Sequence, residues 1–280
     1  MEAAFISIIK KTEERLLSIL YNYCRELFTE YYLPSHDHFH HMRVWNYTRE
    51  LLSSLPMGKC GFTEPDIEQL ILAVFFHDTG LTVTLDEDHG LESAKICRKF
   101  ISANKDLFSA YPAEAIKAIE MHDKKETKTS GSFMKAPGIP VIVSVCDDLD
   151  AYGPIGILRY AEIYLLRGVS LDKLPERVLK NMKSRFRLLS GQKWIPGDLF
   201  TKHRGRYRYA LDFYQKMNNP GNTFCKKAIV TYMDYVYQRK GDLNMYVNEI
   251  AGSSDPEALA FGRDLYLDIT GAKTNSPSET

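Results

Sequence analysis

The sequence predicts a mostly helical protein, because apolar residues recur with roughly the 3.6-residue period of an α-helix through most of the chain. In the opening segment, residues 4–29, this period is followed by Ile9, Leu16, Leu20 and Tyr23, so an amphipathic helix is expected there. Apolar residues make up 44% of the chain and charged residues 26%, proportions typical of a folded globular protein and not of a disordered one.

Helix-start signals divide the first half of the chain further. The run Thr63-Glu-Pro-Asp joins a hydroxyl cap, an early proline and acids in the first turn, which is typical of a helix start. Asp88 is expected to cap one later helix and Pro112 to open another. Together with the apolar pattern, these signals predict helices over residues 37–55, 63–77, 88–100 and 112–122.

The apolar segment at residues 139–146 has two interpretations. Its β-branched residues favour a strand, whereas a short apolar run can equally be a fully buried helix. The polar and turn-rich residues 124–138 before it predict a loop. On the residues alone, the choice between strand and helix stays open.

The second half of the chain is again helical in pattern. Helices are predicted over residues 157–168, 172–190, 203–217, 223–239, 242–251 and 256–269. Residues 190–202 interrupt them with glycine and proline. We therefore expect a core of residues 1–190 and a helical C-terminal extension of residues 191–280, packed on the core as one continuous domain. The aromatic-rich stretch 207–237 favours core packing, with a homodimer surface as the alternative.

Composition limits the compartment and the partners. The 36 basic and 36 acidic residues give a net charge of zero, which disfavours nucleic-acid binding through backbone charge. Five cysteines without a Cys-x-x-Cys pair argue against a disulfide framework and a cysteine-zinc site, and they favour a reducing compartment. The longest apolar runs are far too short to cross a bilayer. We expect a cytoplasmic protein without a membrane partner.

Histidine and aspartate are concentrated in one part of the chain. Seven of the eight histidines lie in the first 122 residues, and the acidic run Asp147-Asp148-Leu149-Asp150 follows them. Imidazole nitrogen and carboxylate oxygen together suit a divalent ion of manganese, iron, cobalt, nickel, zinc or magnesium. Ligands of this kind without a thiolate leave positions open for water and substrate, as catalytic sites do. Such an ion lowers the pKa of bound water and can hold a phosphoryl oxygen.

The order of these residues resembles a known family. The set His40, His77-Asp78 and Asp147 resembles the H…HD…D signature of the HD superfamily of metal-dependent phosphohydrolases. Three segments are similar to family motifs: SHDHFHHMRVW, AVFFHDTG and DDLDAYGPIGILR, the last typical of a branch that includes small nucleotide pyrophosphohydrolases. The resemblance covers residues 30–210. It implies an all-α fold, an HD-domain helical bundle with a helical C-terminal extension, in which residues 139–150 are a buried helix.

The resemblance also implies the metal ligands. They are His40, His77, Asp78 and Asp147. Among the acids of the last motif, register with the Leu-Asp-Ala-x-Gly segment selects Asp147 over Asp148 and Asp150.

The remaining site residues are implied by the same resemblance. His89 and His122 match two extra histidines of branches that bind two ions, but we favour one ion, with both histidines contacting the substrate or protonating the leaving group. Asp78 is then expected to orient the attacking water or to bridge to a second ion. Arg43 and Lys124 are candidate phosphate contacts, for which a carboxylate partner and a solvated loop position are the structural alternatives.

The predicted function is metal-dependent hydrolysis of a small phosphorylated substrate or a nucleotide, as a phosphomonoesterase or a pyrophosphohydrolase. Asp148 stands where the pyrophosphohydrolase branch has a basic residue, so the substrate within the family stays open. The alternative is a regulatory HD module that binds metal or nucleotide without catalysis. Oxygenase chemistry on two irons, known in a related branch, and nucleic-acid binding are weaker alternatives.

Overall fold

The computed structural model describes residues 2–55, 61–123, 137–219, 221–239 and 243–271. These residues form twelve α-helices and no strand, which confirms the all-α prediction. The helices are α1 (Glu2–Phe28), α2 (His38–Ser54), α3 (Glu64–Phe76), α4 (His89–Ala103), α5 (Ala113–Met121), α6 (Ile139–Asp150), α7 (Gly153–Leu166), α8 (Leu174–Ser190), α9 (Gly197–Met217), α10 (Phe224–Asp234), α11 (Leu243–Ala251) and α12 (Pro256–Thr270).

The described residues belong to two compact units. The first is built from residues 1–150 and 181–204, and the second from residues 151–180 and 205–280. These bounds differ from the expected core and extension, since the turn-rich segment 190–202 lies inside the first unit. Helices α8 and α9 each begin in one unit and end in the other, so no single loop divides the chain. That the chain is one continuous domain stays a prediction.

Helix α3 is central to the first unit. It packs against α1, α2, α5 and α6, and every residue from Leu70 to Phe76 is fully buried. At the helix start predicted from Thr63-Glu-Pro-Asp, the Asp66 carboxylate accepts hydrogen bonds from both the backbone N–H and the hydroxyl of Thr63. A helix that is apolar on all sides is stable only when other helices cover it. The neighbours of α3 therefore carry the candidate functional residues inward.

Residues 139–146, for which both a strand and a buried helix were considered, lie in helix α6. All twelve of its residues are buried, and they are helical in spite of the β-branched composition. Packing against α2, α3 and α5 outweighs local β-propensity, which is a weak preference of about 1 kcal/mol. Pro140 is compatible with this helix because a proline in the first turn leaves no hydrogen bond unmade. The prediction of a buried helix is confirmed.

Several helix ends differ from the prediction. Helix α7 begins at Gly153 and α9 at Gly197, whereas residues 157 and 203 were expected. In both places a proline lies at the helix start, Pro154 inside the first turn of α7 and Pro196 before α9, and proline is favoured there. Asp88 precedes α4 as expected, but its side chain makes no capping hydrogen bond.

The aromatic-rich stretch contributes to the core of the second unit. Tyr214 and Tyr232 are fully buried, and their hydroxyls donate to the Ile157 carbonyl at 2.7 Å and to the Glu162 carboxylate at 2.5 Å. Tyr237 is exposed. Core packing is therefore the main role of this stretch, and the homodimer surface stays a prediction.

None of the helices in the described part of the chain combines the length and the hydrophobicity that a membrane span needs. The cytoplasmic location stays a prediction.

Candidate metal centre

Three helices of the first unit bring the predicted metal ligands together. His40 lies in the first turn of α2, His77 ends α3 with Asp78 next to it, and Asp147 lies in the last turn of α6. Helices α2, α3 and α6 pack against one another in pairs. All four side chains are buried. Packing of these three helices therefore brings together residues that are far apart in the sequence.

We call these four residues the four-residue cluster. His40 Nε2 lies 3.0 Å from His77 Nε2, 3.4 Å from Asp78 Oδ2 and 3.5 Å from Asp147 Oδ1. His77 Nε2 lies 3.5 Å from Asp78 Oδ2 and 3.6 Å from Asp147 Oδ1. Metal–ligand bonds of about 2.0–2.2 Å place neighbouring ligand atoms about 3.0–3.5 Å apart. The spacing of the four atoms is compatible with a divalent ion at their centre.

A second group of ligand atoms shares Asp78 with the first. Asp78 Oδ1 lies 3.1 Å from His89 Nε2 and 3.2 Å from His122 Nε2, and the two imidazole nitrogens are 3.2 Å apart. We call Asp78, His89 and His122 the three-residue cluster. Because Asp78 uses Oδ2 in one cluster and Oδ1 in the other, its carboxylate joins them. The predicted catalytic residues therefore lie beside the predicted ligands.

Three of the histidines are oriented by the backbone three residues earlier. The Nδ1 atoms of His77, His89 and His122 lie 2.8 Å, 2.9 Å and 2.7 Å from the carbonyl oxygens of Val74, Asp86 and Ile119. Since a carbonyl can only accept, Nδ1 carries the proton in the neutral imidazole. Each Nε2 lone pair is then left for a metal ion or a proton, an arrangement common among histidine ligands.

His40 is oriented by a carboxylate. Its Nδ1 lies 2.7 Å from Asp150 Oδ2, and both oxygens of Asp150 accept hydrogen bonds from Arg43, from Nε and Nη2 at 2.9 Å each. The structure thus places Arg43 on a carboxylate, the structural alternative considered for it. Arg43 Nη1 is buried without a hydrogen-bond partner among the described residues. A contact of Arg43 with phosphate stays a prediction.

A serine and a glycine allow close packing around the clusters. The Ser93 hydroxyl donates to the His77 carbonyl and accepts from the Gly80 N–H, both at 2.7 Å. A Cβ at Gly80 would lie 2.0 Å from the His89 carbonyl oxygen, so only glycine fits there. At the other side, the Ser144 hydroxyl of α6 donates to the His122 carbonyl at 2.5 Å. These contacts hold the ends of α3, α4 and α5 at fixed distances.

The electrostatics of the clusters favour a cation. Burial alone would raise the pKa of Asp78, but His77 and then hydrogen bonds from His122, His40 and His89 hold it well below the usual value. Burial alone would lower the pKa values of His77 and His122, but Asp78, joined at His77 by Asp147, outweighs this and both are raised. Both shifts show that the carboxylates of the clusters stabilise positive charge at these buried positions.

His41, the next residue after His40 in α2, is fully buried. Neither ring nitrogen has a hydrogen-bond partner among the described residues. Burial, followed by the neighbouring His77 and His40, lowers its pKa well below the usual value. With His40 and His77 it forms a third group whose ligand atoms lie within 4.8 Å of one another. Its sequence neighbours gave no signal for this position.

One predicted site residue is not among the described residues, and two polar residues close to the clusters were not predicted. Lys124 lies outside the described residues, so its contact with substrate stays a prediction. Arg185 and Asp123 were not predicted, although Arg185 reaches the acidic run at the end of α6. Arg185 lies in α8, outside the motifs of the histidine and aspartate segments, and nothing next to it in the sequence indicates this role.

Comparison with known proteins gives one match. Residues 39–153 match the family model of the HD domain, a range that contains both clusters. Neither a curated protein nor a solved structure matches the chain.

Proposed function

Residues 39–153 of this chain are an HD domain, and on that premise we propose that the protein is a metal-dependent phosphohydrolase. The proposed reaction is the hydrolysis of a small phosphate ester or a nucleotide, as a phosphomonoesterase or pyrophosphohydrolase, with water as the nucleophile. The observation that carries the proposal is the sharing of Asp78 between the four-residue and three-residue clusters. Imidazole and carboxylate ligands without thiolate are the donor set of catalytic metal sites.

The four-residue cluster is the proposed binding site of a divalent ion of manganese, iron, cobalt, nickel, zinc or magnesium. When bound, such an ion supplies Lewis acidity toward a phosphoryl oxygen and lowers the pKa of water. The chain's own contribution is geometric. Asp150 fixes the ring of His40, and the Val74 carbonyl fixes the ring of His77, so both Nε2 lone pairs face the same point. Asp78, between the two clusters, orients the attacking water.

His89 and His122 are proposed to contact the substrate and to protonate the leaving group. General-acid catalysis needs a group that holds a proton near neutral pH. In the metal-free protein Asp78 raises the pKa of His122 against the opposing effect of burial. His89 Nε2 lies within 3.2 Å of the same nitrogen, so a proton can pass between the two rings. Lys124 and Arg43 remain proposed phosphate contacts.

A second candidate arrangement, with two ions, is favoured by the distances in the three-residue cluster. The separations of 3.1–3.2 Å among Asp78 Oδ1, His89 Nε2 and His122 Nε2 equal those expected of metal ligands. In that arrangement Asp78 bridges the ions, and His89 and His122 are ligands and not proton donors. Metal analysis separates the two: His122→Ala loses one equivalent of metal in the two-ion arrangement and none in the one-ion arrangement.

The activity test is a phosphatase and pyrophosphatase screen over nucleotides and sugar phosphates, with each candidate metal added in turn. His77→Ala and Asp78→Asn should reduce hydrolysis and bound metal to background while leaving the helical content, measured by circular dichroism, unchanged. Asp88→Asn is the matched control, because that carboxylate is exposed and makes no capping hydrogen bond. Full hydrolysis by both cluster variants would exclude the proposal.

Two further results would point to the other functions. A metal-loaded protein that binds nucleotides but hydrolyses no compound of the screen would indicate a regulatory HD module. Iron content together with oxygen consumption would indicate oxygenase chemistry. Either result replaces the hydrolase proposal.

A further inference from the structure

The guanidinium of Arg185 gathers three polar partners beside the four-residue cluster. Arg185 lies in α8, and its Nε donates a hydrogen bond to Asn181 Oδ1 at 2.9 Å. Nη1 donates to Asp148 Oδ1 and Nη2 to Asp123 Oδ1, each at 2.5 Å. Asp148 adjoins the predicted ligand Asp147, and Asp123 adjoins His122. One side chain of α8 thus joins the end of α6 to the end of α5.

The same guanidinium lies against the ligand carboxylate itself. Arg185 Nη1 is 3.7 Å from Asp147 Oδ2, while Asp147 Oδ1 is the oxygen that faces His40 and His77. The two oxygens of Asp147 therefore point in different directions, one toward the cluster and one toward a fixed positive charge. At 3.7 Å the attraction is electrostatic and not a hydrogen bond.

Arginine is suited to this position in a way that lysine is not. Its planar fork offers donors in fixed directions, so bonds to Asn181, Asp148 and Asp123 hold the positive charge in one place. Burial alone would raise the pKa of Asp123, but Arg185 outweighs it and the pKa is lowered, so this anchor stays ionised. With two of its donors held by carboxylates, Arg185 is occupied before any substrate arrives.

We propose that Arg185 is a positioning residue, which holds Oδ2 of Asp147 so that Oδ1 faces the metal ion. The inference rests on the proposed function, since it assumes that the four-residue cluster binds a divalent ion. The inference also gives a role to Asp148, which stands where a basic residue was expected. The positive charge near the cluster comes from Arg185 of α8, and Asp148 holds that guanidinium in place.

Whether substitution of Arg185 raises or lowers metal affinity distinguishes a positioning role from a purely electrostatic one. If Arg185 acted only through its charge, Arg185→Gln would strengthen cation binding, because a nearby positive charge is removed. Arg185→Lys would then leave binding unchanged. If Arg185 positions Asp147, both variants weaken binding. Losses of about 10–100-fold are typical when a residue that orients a metal ligand is removed.

The experiment measures the Kd of Mn²⁺ by calorimetry for the metal-free full chain and its variants. We expect a Kd about 10–100-fold higher for Arg185→Lys, and a smaller increase for Asn181→Ala, which loosens the guanidinium without changing any charge. Excess Mn²⁺ should restore kcat in both variants, which a loss of structure would not allow. Arg187→Lys is the matched control, because Arg187 is exposed on the same helix.

The outcomes distinguish this inference from the proposed function. A Kd for Arg185→Lys equal to that of the wild type, or lower, overturns the positioning role. If Arg185→Lys lowers the helical content, Asn181→Ala decides alone, and an unchanged Kd overturns the inference. Wild-type protein that binds no divalent ion overturns both proposals. A wild type that binds Mn²⁺ more tightly than Arg185→Lys but hydrolyses nothing leaves the inference standing and ends the hydrolase proposal.

Discussion

At the scale of single residues, the clusters depend on which nitrogen of each imidazole is engaged elsewhere. Backbone carbonyls near helix ends engage Nδ1 of His77, His89 and His122, and a carboxylate engages Nδ1 of His40. For His77 and His122 that carbonyl is available because the last carbonyls of α3 and α5 have no partner within the helix, whereas the Asp86 carbonyl lies in the turn before α4. On exposed loops the same four imidazole rings would be free to rotate. Their common orientation is therefore a consequence of burial at helix ends.

The first prediction concerns protons released when metal binds. The pKa values of His77 and His122 are raised because Asp78, together with Asp147 at His77, outweighs burial, so in the metal-free protein these rings keep a proton to higher pH than an ordinary histidine does. Metal ligation needs the neutral ring, so binding must release protons, and the apparent affinity should rise with pH until the raised pKa values are passed. Calorimetry in buffers with different ionisation enthalpies measures the number of protons released.

The direction of this effect can be checked at two pH values. More protons should be released at about pH 6.5, the ordinary histidine pKa, than two units above it. Binding enthalpies that do not depend on the buffer at the lower pH would contradict the prediction. His203→Gln is a suitable control, since His203 belongs to neither cluster.

The residues of the four-residue cluster could be predicted from the sequence as candidate ligands, but the residues that support them could not. His40, His77, Asp78 and Asp147 stand inside recognisable motifs, and the structure brings them together. Arg185 has no such local signal, because its partners come from α5 and α6 through the fold. Sequence spacing on one helix is informative about neighbours three or four positions apart. It gives no information on which side chain of a distant helix will face a given carboxylate.

At the scale of secondary-structure elements, close approach of helix ends sets the distance between the two clusters. A short 3₁₀ turn at residues 79–82 follows α3. Ser93 of α4 bonds both the His77 carbonyl before this turn and the Gly80 N–H within it. Element types were well predicted, since the twelve helices found among the described residues follow the apolar period. Starts at Gly153 and Gly197 were predicted too late, because glycine and proline interrupt a pattern in the sequence and can still begin a helix.

The second prediction tests this close approach with the same substitution at two glycines. Gly80→Ala places a Cβ 2.0 Å from the His89 carbonyl oxygen, so the two backbones must separate. The free energy of unfolding should fall by about 1–3 kcal/mol or more, and metal affinity should fall with it, because Asp78 and His89 move apart. Chemical denaturation and metal titration measure the two effects.

Gly205→Ala is the matched control in α9. A Cβ at this exposed helical position meets no atom within 4 Å, so the substitution should raise the free energy of unfolding by up to about 1 kcal/mol. Equal stability changes at Gly80 and Gly205 would show that the approach of the α3 and α4 ends is not tight.

At the scale of the whole molecule, buried cysteine thiols are present in both units, so the reactivity of each thiol reports the unfolding of its own unit. Cys24, Cys97 and Cys146 lie in the unit that contains both clusters, and Cys225 lies in the other. Burial raises the pKa of the Cys146 thiol to about 12 and that of Cys225 to about 11, and it raises those of Cys24 and Cys97 as well. Thiolate is the reactive form, so all four should be inert in the native protein at pH 8.

The third prediction uses these thiols to detect metal binding without any activity assay. A ligand that binds only the folded state stabilises it by about 2.7 kcal/mol at one hundred times its Kd. Mn²⁺ should therefore raise the urea concentration at which Cys24, Cys97 and Cys146 react with iodoacetamide, read out by mass spectrometry. Cys225 is the internal reference: a similar shift there would mean that the two units unfold together, and no shift that they unfold independently. Identical labelling of the three thiols with and without Mn²⁺ would show that the clusters bind no ion in the folded chain, because no other linkage to folding distinguishes the two samples.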